Sequence, residues 1–226
     1  MRTHQLVQSW LENQLAAGRL AVGDRLPGER TVAEQLGISR ASAREGIRVL
    51  EAMGIVRAGV GSGPGSGTVI TANPGAALGS ALRLHMATSH LPVNDIVETR
   101  LLLETWAAAH ADPASSAMSE AAALLDAMDS SAKDEKEFLR LDALFHVAVA
   151  EAAGNVLIGA MMSSLRESIE GYTLKLTRTL PDWEATSARL RAEHRDIHTA
   201  IQNDDGARAA EIVARHIEGF YAEAGF

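Results

Sequence analysis

GERTVAEQLGISRASAREGIRVL, residues 28–50, reads as a helix, a turn and a second helix. Leu26, Val32, Ala33 and Leu36 supply the apolar positions of a short first helix after Pro27. Gly37 breaks that helix and Ile38 plugs the turn. Ser39 is suited to cap the second helix, because its hydroxyl can accept an orphan backbone N–H. Ala43, Ile47 and Leu50 then recur at i, i+4 and i+7 and make a buried face. Arg40, Arg44 and Arg48 recur every four residues and form one stripe, with Ala41 and Ser42 beside the first two. A helix that presents arginine and small polar groups from its first turns suits the major groove of DNA. Guanidinium matches the O6/N7 edge of guanine, and short neighbours let the helix sit close. A surface helix with solvated arginines would carry the same stripe. The preceding helix, the glycine turn and the capped entry favour the DNA reading.

Outward from this stretch, Leu6, Val7, Trp10, Leu11 and Leu15 keep helical spacing and predict an amphipathic helix over 4–17. Gly18 ends it, and Gly23-Asp24 is a turn. On the other side, Gly54 stops the second helix of the motif. Ile55-Val56-Arg57 and Val69-Ile70 read as two short strands, joined by a glycine-rich tip over 59–67. The expectation for 1–72 is a winged helix–turn–helix with a two-stranded wing. Residues 73–79 read as a linker containing Pro74. The segment 80–226 reads as an antiparallel all-α bundle, so the fold class is mainly α. Helices are expected near 76–89, 93–111, 116–130, 134–153, 156–179, 183–202 and 205–223, with Pro92, Pro113, Pro181 and Gly154-Asn155 at boundaries.

The formal charge of −8 looks wrong for a nucleic-acid binder until it is divided. Residues 1–72 carry net +2 and the remainder net −10, so phosphate affinity belongs to the first third and the rest repels DNA. Cysteine is absent, which excludes disulfide and thiolate chemistry. MRTHQLVQSW lacks the apolar core of a signal peptide, and no apolar run reaches about 18 residues. A cytoplasmic protein with no membrane partner is the default expectation.

A second constellation lies in the helical part. Asp142 and His146 are four apart on one predicted helix, flanking the apolar row Phe138, Leu141, Phe145 and Ala148, and therefore face inward. His194 and His216 lie on the last two helices, which fold back on each other at Asn203-Asp204 and bring them roughly level. One carboxylate and three imidazoles converging in a bundle suit a divalent metal ion, zinc first, with nickel, manganese or iron as alternatives. Such a set leaves positions free in an octahedral shell. Separate core or surface histidines would show the same spacing. His4, His85, His90, His110 and His198 have no such pattern and read as surface or packing residues. Arg100 sits on an otherwise apolar face with Ile96, Leu103 and Trp106. A buried arginine needs an anion, which can be an internal carboxylate such as Glu98 or Glu104.

Gly23-Asp24-x-Leu26-Pro27, Glu29-Arg30, Leu36-Gly37, Ser39-Arg40, Arg44-Glu45 and Gly67-Thr68 together resemble the N-terminal domain of the GntR family of bacterial transcription regulators. Glu98-x-Arg100 with Glu104, Asp142-x-x-Phe145-His146, Gly154-Asn155, Glu193-His194 and His216 resemble its FadR-type branch, whose effector domain is called FCD. The resemblance implies base contacts from Arg40 and Arg44, framed by Ser39 and Ser42. It implies a phosphate or base role for Arg30 and a wing that enters the minor groove near Gly67. It also implies a metal at Asp142, His146, His194 and His216, and a carboxylate effector held between that metal and Arg100. Two departures stand out. The tip over 59–67 has no lysine or arginine, and Gly46 stands mid-helix where alanine is usual, at a cost of about 1 kcal/mol.

Three functions compete. The first is a ligand-responsive regulator that binds an operator as a homodimer and is modulated by a small organic acid. The second is an architectural DNA-binding protein whose metal only stabilises the bundle. The third, a metal-dependent hydrolase with an accessory DNA-binding domain, is disfavoured by the lack of an HExxH motif and of a spare carboxylate next to Asp142.

Overall fold

The computed structural model describes residues 3–59, 67–71, 77, 81, 84, 92–130 and 134–225. The helix expected over 76–89, most of the linker, and the wing tip at 60–66 lie outside the described residues, apart from 77, 81 and 84. The chain forms two compact units that divide between Leu78 and Gly79.

In the first unit, α1 spans Thr3–Ala16, α2 Glu29–Leu36 and α3 Arg40–Ala52. Gly37 adopts a left-handed conformation at φ 65°, and its N–H closes the end of α2 on the carbonyls of Ala33 and Glu34. Ser39 then caps α3, its hydroxyl accepting from the Ser42 N–H at 3.1 Å. Val7, Trp10 and Leu11 from α1 pack with Leu26, Val32, Ala33, Ala43, Leu50, Val56 and Ile70 in one core. The wing strands are β1, Val56–Gly59, and β2, Gly67–Ile70, antiparallel with Val56 opposite Ile70 and Gly59 opposite Gly67. Strand β1 thus starts one residue later than the spacing suggests and runs further towards the tip. The 23–26 segment, expected only as a turn, also pairs with β2. Arg25 bridges to Val69, the Leu26 N–H donates to Thr68 O at 2.8 Å, and the Ile70 N–H donates to Asp24 O at 2.9 Å.

Gly46 has a reason that its sequence context hides. A Cβ built there would lie 2.5 Å from Val7 Cγ2 and 2.7 Å from Val7 Cβ. Helix α1 therefore rests on the bare backbone of α3, and Gly46 joins Ala43 and Leu50 on the buried face while Ile47 is only half-buried. Gly46→Ala recovers about 1 kcal/mol of helix propensity. Against that, overpacking costs about 1–3 kcal/mol, and a β-branched neighbour has no free end to move aside. A clash at 2.5 Å lies in the upper part of that range, so the expected net result is a loss of about 1–2 kcal/mol from the N-terminal unit in urea unfolding, partly recovered by adding Val7→Ala. A Gly46→Ala chain as stable as wild type would show that α1 and α3 separate freely.

The second unit contains α4 (Val93–His110), α5 (Ser116–Ser130), α6 (Glu135–Ala152), α7 (Val156–Leu176, continued by a 3-10 turn at Thr177–Thr179), α8 (Trp183–Gln202) and α9 (Gly206–Glu223). Short polar side chains cap four of them. Asp134 accepts from the Glu137 N–H, Asn155 from Leu157 and Ile158, Asp182 from Ala185, and Asp205 from Arg208. Helix α6 is the axis, because residues on nearly its whole circumference are buried, from Phe138 to Ala152. Through Phe138, Leu141 and Phe145 it packs with α5 and the α8–α9 pair in one core, and through Val147 and Ala150 it joins α4 and α7 in a second. Asp204, at φ 58°, makes the reversal between α8 and α9. Helix α9 begins hard against α4: a Cβ on Gly206 would fall 2.3 Å from Ala109 O. No helix of the described residues is long and apolar enough to cross a membrane.

Candidate functional site

Asp142 and His146 project one turn apart from α6 into the bundle, because the rows on either side are filled by Phe138, Leu141 and Phe145. His194 comes from α8 and His216 from α9, level with each other as the tight turn at Asp204 requires. All four are buried, and one ligand atom from each lies within 4.8 Å of the others. His194 Nε2 is 3.0 Å from Asp142 Oδ1, and His146 Nε2 is 3.2 Å from His216 Nε2. Asp142 Oδ1 stands 4.0 Å from His146 Nε2 and 3.9 Å from His216 Nε2. The structure thus brings together all four residues that the sequence singles out.

The electrostatics suit a cation. Burial pushes His194 and His216 down, His216 to about 4 with a further push from neighbouring His194, so both are neutral near pH 7. Burial alone would raise Asp142, but its imidazole neighbours outweigh it and hold the carboxyl below its ordinary range. Neutral imidazole and ionised carboxylate are the ligating forms. Both nitrogens of His194 are buried without an aligned hydrogen bond, although Asp142 lies within reach of Nε2. A buried polar atom left so is costly unless something else binds it. Two imidazole nitrogens held by one tetrahedral zinc are about 3.3 Å apart, close to the separation of His146 and His216. The four residues therefore fit a divalent metal in both chemistry and spacing.

Two carboxylates surround this group that spacing alone did not reveal. Glu104 Oε2 is 2.6 Å from His146 Nδ1, and Glu193 Oε2 is 2.9 Å from His216 Nδ1. Glu104 stands one turn after Arg100 and Glu193 directly precedes His194, so an i, i+4 pair and an adjacent acid were the available signals. Arg100 is buried, as its apolar surroundings suggest. Its Nε donates to Glu104 Oε1 at 2.7 Å and its Nη1 to Tyr221 Oη at 3.2 Å. Burial would raise Glu104, but Arg100 and His146 bring it down to about 2. Arg100, Asp142 and His216 also line a small cavity with Thr173, Leu190 and Tyr221. His198 and His110 stay outside the group: the first contacts Met118 O, the second stacks on Trp106.

In the N-terminal unit, Arg40 and Arg44 lie exposed on the first turns of α3. Their Nε atoms donate to the two oxygens of one residue, Glu29 at the start of α2, at 3.1 and 3.0 Å. That carboxylate, part of the Glu29-Arg30 motif piece but given no role by the sequence, holds both guanidinium groups side by side. Arg30 is exposed on α2 and 3.7 Å from Glu34. Ser39 and Ser42 are engaged with each other at the cap. Gly67 opens β2 at φ 145°, and a Cβ added there would come no nearer than 3.9 Å to Arg25 Cδ. With Arg57 exposed on β1, the wing has basic residues at its base.

Comparison with known proteins divides the chain in the same way. Residues 3–69 match the family model described as bacterial regulatory proteins, gntR family, and residues 95–219 match the FCD domain. The chain is 27% identical to the HTH-type transcriptional regulator LutR of Bacillus subtilis over 206 residues, 88% of this chain and 91% of LutR. It is 27% identical to the Exu regulon transcriptional regulator of Escherichia coli K12 over 226 aligned positions, 96% of this chain and 82% of that one. A solved Streptococcus agalactiae GntR structure, 24% identical, shares the fold at a TM-score of 0.62, covering 96% of this chain and 98% of its own. A reading helix with its wing, followed by a helical unit built around buried histidines, is the order of parts found here, and the two family models match in that order. The chain accordingly belongs to the GntR family of bacterial transcription regulators, in the branch that carries an FCD domain, and is a regulator of transcription rather than an enzyme.

Proposed function

We propose that this regulator binds operator DNA as a homodimer through α3, and that a small carboxylate effector acts on the helical unit beside a bound divalent metal, zinc in the first instance. The observation that carries this reading is the buried Asp142, His146, His194 and His216 group, of which Asp142 and His216 line a cavity with Arg100. The metal would be held by those four side chains and would supply Lewis acidity towards an acid's oxygen. Arg100 would pair with the acid's far end while its Nε and Nη1 hold Glu104 and Tyr221. The relatives support transcriptional control from an operator: they include regulators of the Exu regulon and the Uxu operon and an activator of the Glc operon. The test is footprinting and gel-shift titration on DNA flanking the protein's own gene, with a panel of di- and hydroxy-carboxylates, with and without a chelator. A metal-dependent change of operator affinity with one acid is expected. Operator binding that no acid alters would leave the metal a purely structural role.

The reading head carries its own prediction. Arg44→Ala should weaken specific operator binding by about 1–3 kcal/mol, as loss of a bidentate base contact does. Arg40→Ala should behave alike. Neither residue contributes to the core, so the melting of the N-terminal unit should stay unchanged. Gel shifts in which both variants bind like wild type would remove α3 from the groove.

A further inference from the structure

Around the four buried residues lies a second ring of charge that the proposed metal reading does not use. His216 Nδ1 meets Glu193 Oε2 at 2.9 Å in an aligned hydrogen bond. Glu193 is held in turn by Arg189, whose Nη1 donates to Oε1 at 2.8 Å and to Oε2 at 2.9 Å. Arg189 reaches on to Glu223 Oε2 at 2.6 Å, and Glu223 accepts from the Thr186 hydroxyl. On the other side His146 Nδ1 lies 2.6 Å from Glu104 Oε2, and Glu104 is held by Arg100. The His146 contact is out of line for a hydrogen bond. Even so, a bare ring nitrogen and a carboxylate oxygen would repel at that distance, so this nitrogen carries the hydrogen.

We propose that Glu104 and Glu193 are positioning residues of the metal centre, each fixing the hydrogen of one ligand imidazole on Nδ1 and each pinned by an arginine, Arg100 and Arg189 respectively. The inference rests on the metal reading above. Its consequence is geometric. With both hydrogens on Nδ1, the Nε2 atoms of His146 and His216 present lone pairs to each other across 3.2 Å. They cannot hydrogen-bond to one another, and a cation between them removes the repulsion. Carboxylates behind ligand imidazoles set ring orientation and basicity in the same way in other metal sites. The two anchors differ in setting. Glu104 and Arg100 are buried with the cavity, whereas Glu193 and Arg189 are half-exposed on the outer side of α8.

The test uses the full chain and zinc(II) alone as probe, with affinity read by competition against a chromophoric chelator. Glu193→Ala should bind zinc about 10–100-fold more weakly than wild type. Glu193→Gln, which keeps an acceptor but no charge, should fall between them. Glu223→Gln, which breaks the same arginine network without touching His216, should match wild type. Glu104→Gln alone would leave Arg100 unpaired in the interior, so it is combined with Arg100→Met; that double variant should show a loss like that of Glu193→Ala, and unchanged zinc affinity in it would remove Glu104 from the proposal. A second readout needs no metal. The 15N shifts of the imidazoles in the metal-free wild type should place the His216 hydrogen on Nδ1, and Glu193→Ala should spread it over both nitrogens. Zinc affinity unchanged in both Glu193 variants, or a His216 hydrogen found on Nε2, overturns the proposal while leaving the metal reading intact. A wild-type chain that binds no zinc overturns both.

Discussion

Replacing Arg100 by alanine should cost the helical unit about 3–5 kcal/mol, the price of leaving one member of a buried ion pair alone. Arg100 and Glu104 are only 4% and 3% exposed, and their contact is 2.7 Å. Without the guanidinium, Glu104 keeps a charge in a dry interior with His146 as its remaining neighbour. Arg100→Ala is therefore a poor probe of effector binding, since it disturbs the residues behind His146 as well. Arg100→Lys retains the charge and tests the acid more cleanly. The double variant Arg100→Met with Glu104→Gln should recover most of the lost stability, because a buried pair replaced as a whole by groups of similar size is often close to neutral. Chemical denaturation of the three chains decides the matter. A single Arg100→Ala variant within about 1 kcal/mol of wild type, on the same scale of buried-pair losses, would show that Glu104 finds another partner.

The second large effect concerns the metal. An ion that binds only the folded unit, at 100–1,000 times its dissociation constant, adds about 2.7–4.1 kcal/mol. At about 2–4 °C per kcal/mol for a unit of this size, chelation should lower its melting temperature by roughly 5–15 °C. His146→Ala should melt low with or without chelator, since it removes a ligand from the centre of the group. Calorimetric scans of both proteins in zinc and in chelator check this. A wild-type transition that ignores the chelator would end the metal reading. The N-terminal unit has no such cluster among its described residues, so its own transition should not move.

Much of this molecule is local in origin and so stands in the chain itself. Gly37, Ser39 and the apolar spacing around them specify the helix–turn–helix, because a left-handed residue, a cap and a buried stripe are each decided within one or two turns. The helices after residue 92 are legible for the same reason, although the aspartate and asparagine side chains that cap them emerge only in the structure. Asp142 and His146 share a helix face through periodicity, and a short reversal at Asp204 brings His194 and His216 level. What crosses between helices was not legible. Gly46 reads as a flaw until Val7 is seen lying on it, and the pairing of Arg25 with β2 has no periodic signal. Glu29 gathers two arginines from another helix. Glu104 and Glu193 reach His146 and His216 from 42 and 23 positions away. Spacing along a chain specifies which side of a helix a residue occupies. Which partner waits there depends on how helices cross, and only packing of the whole unit decides that.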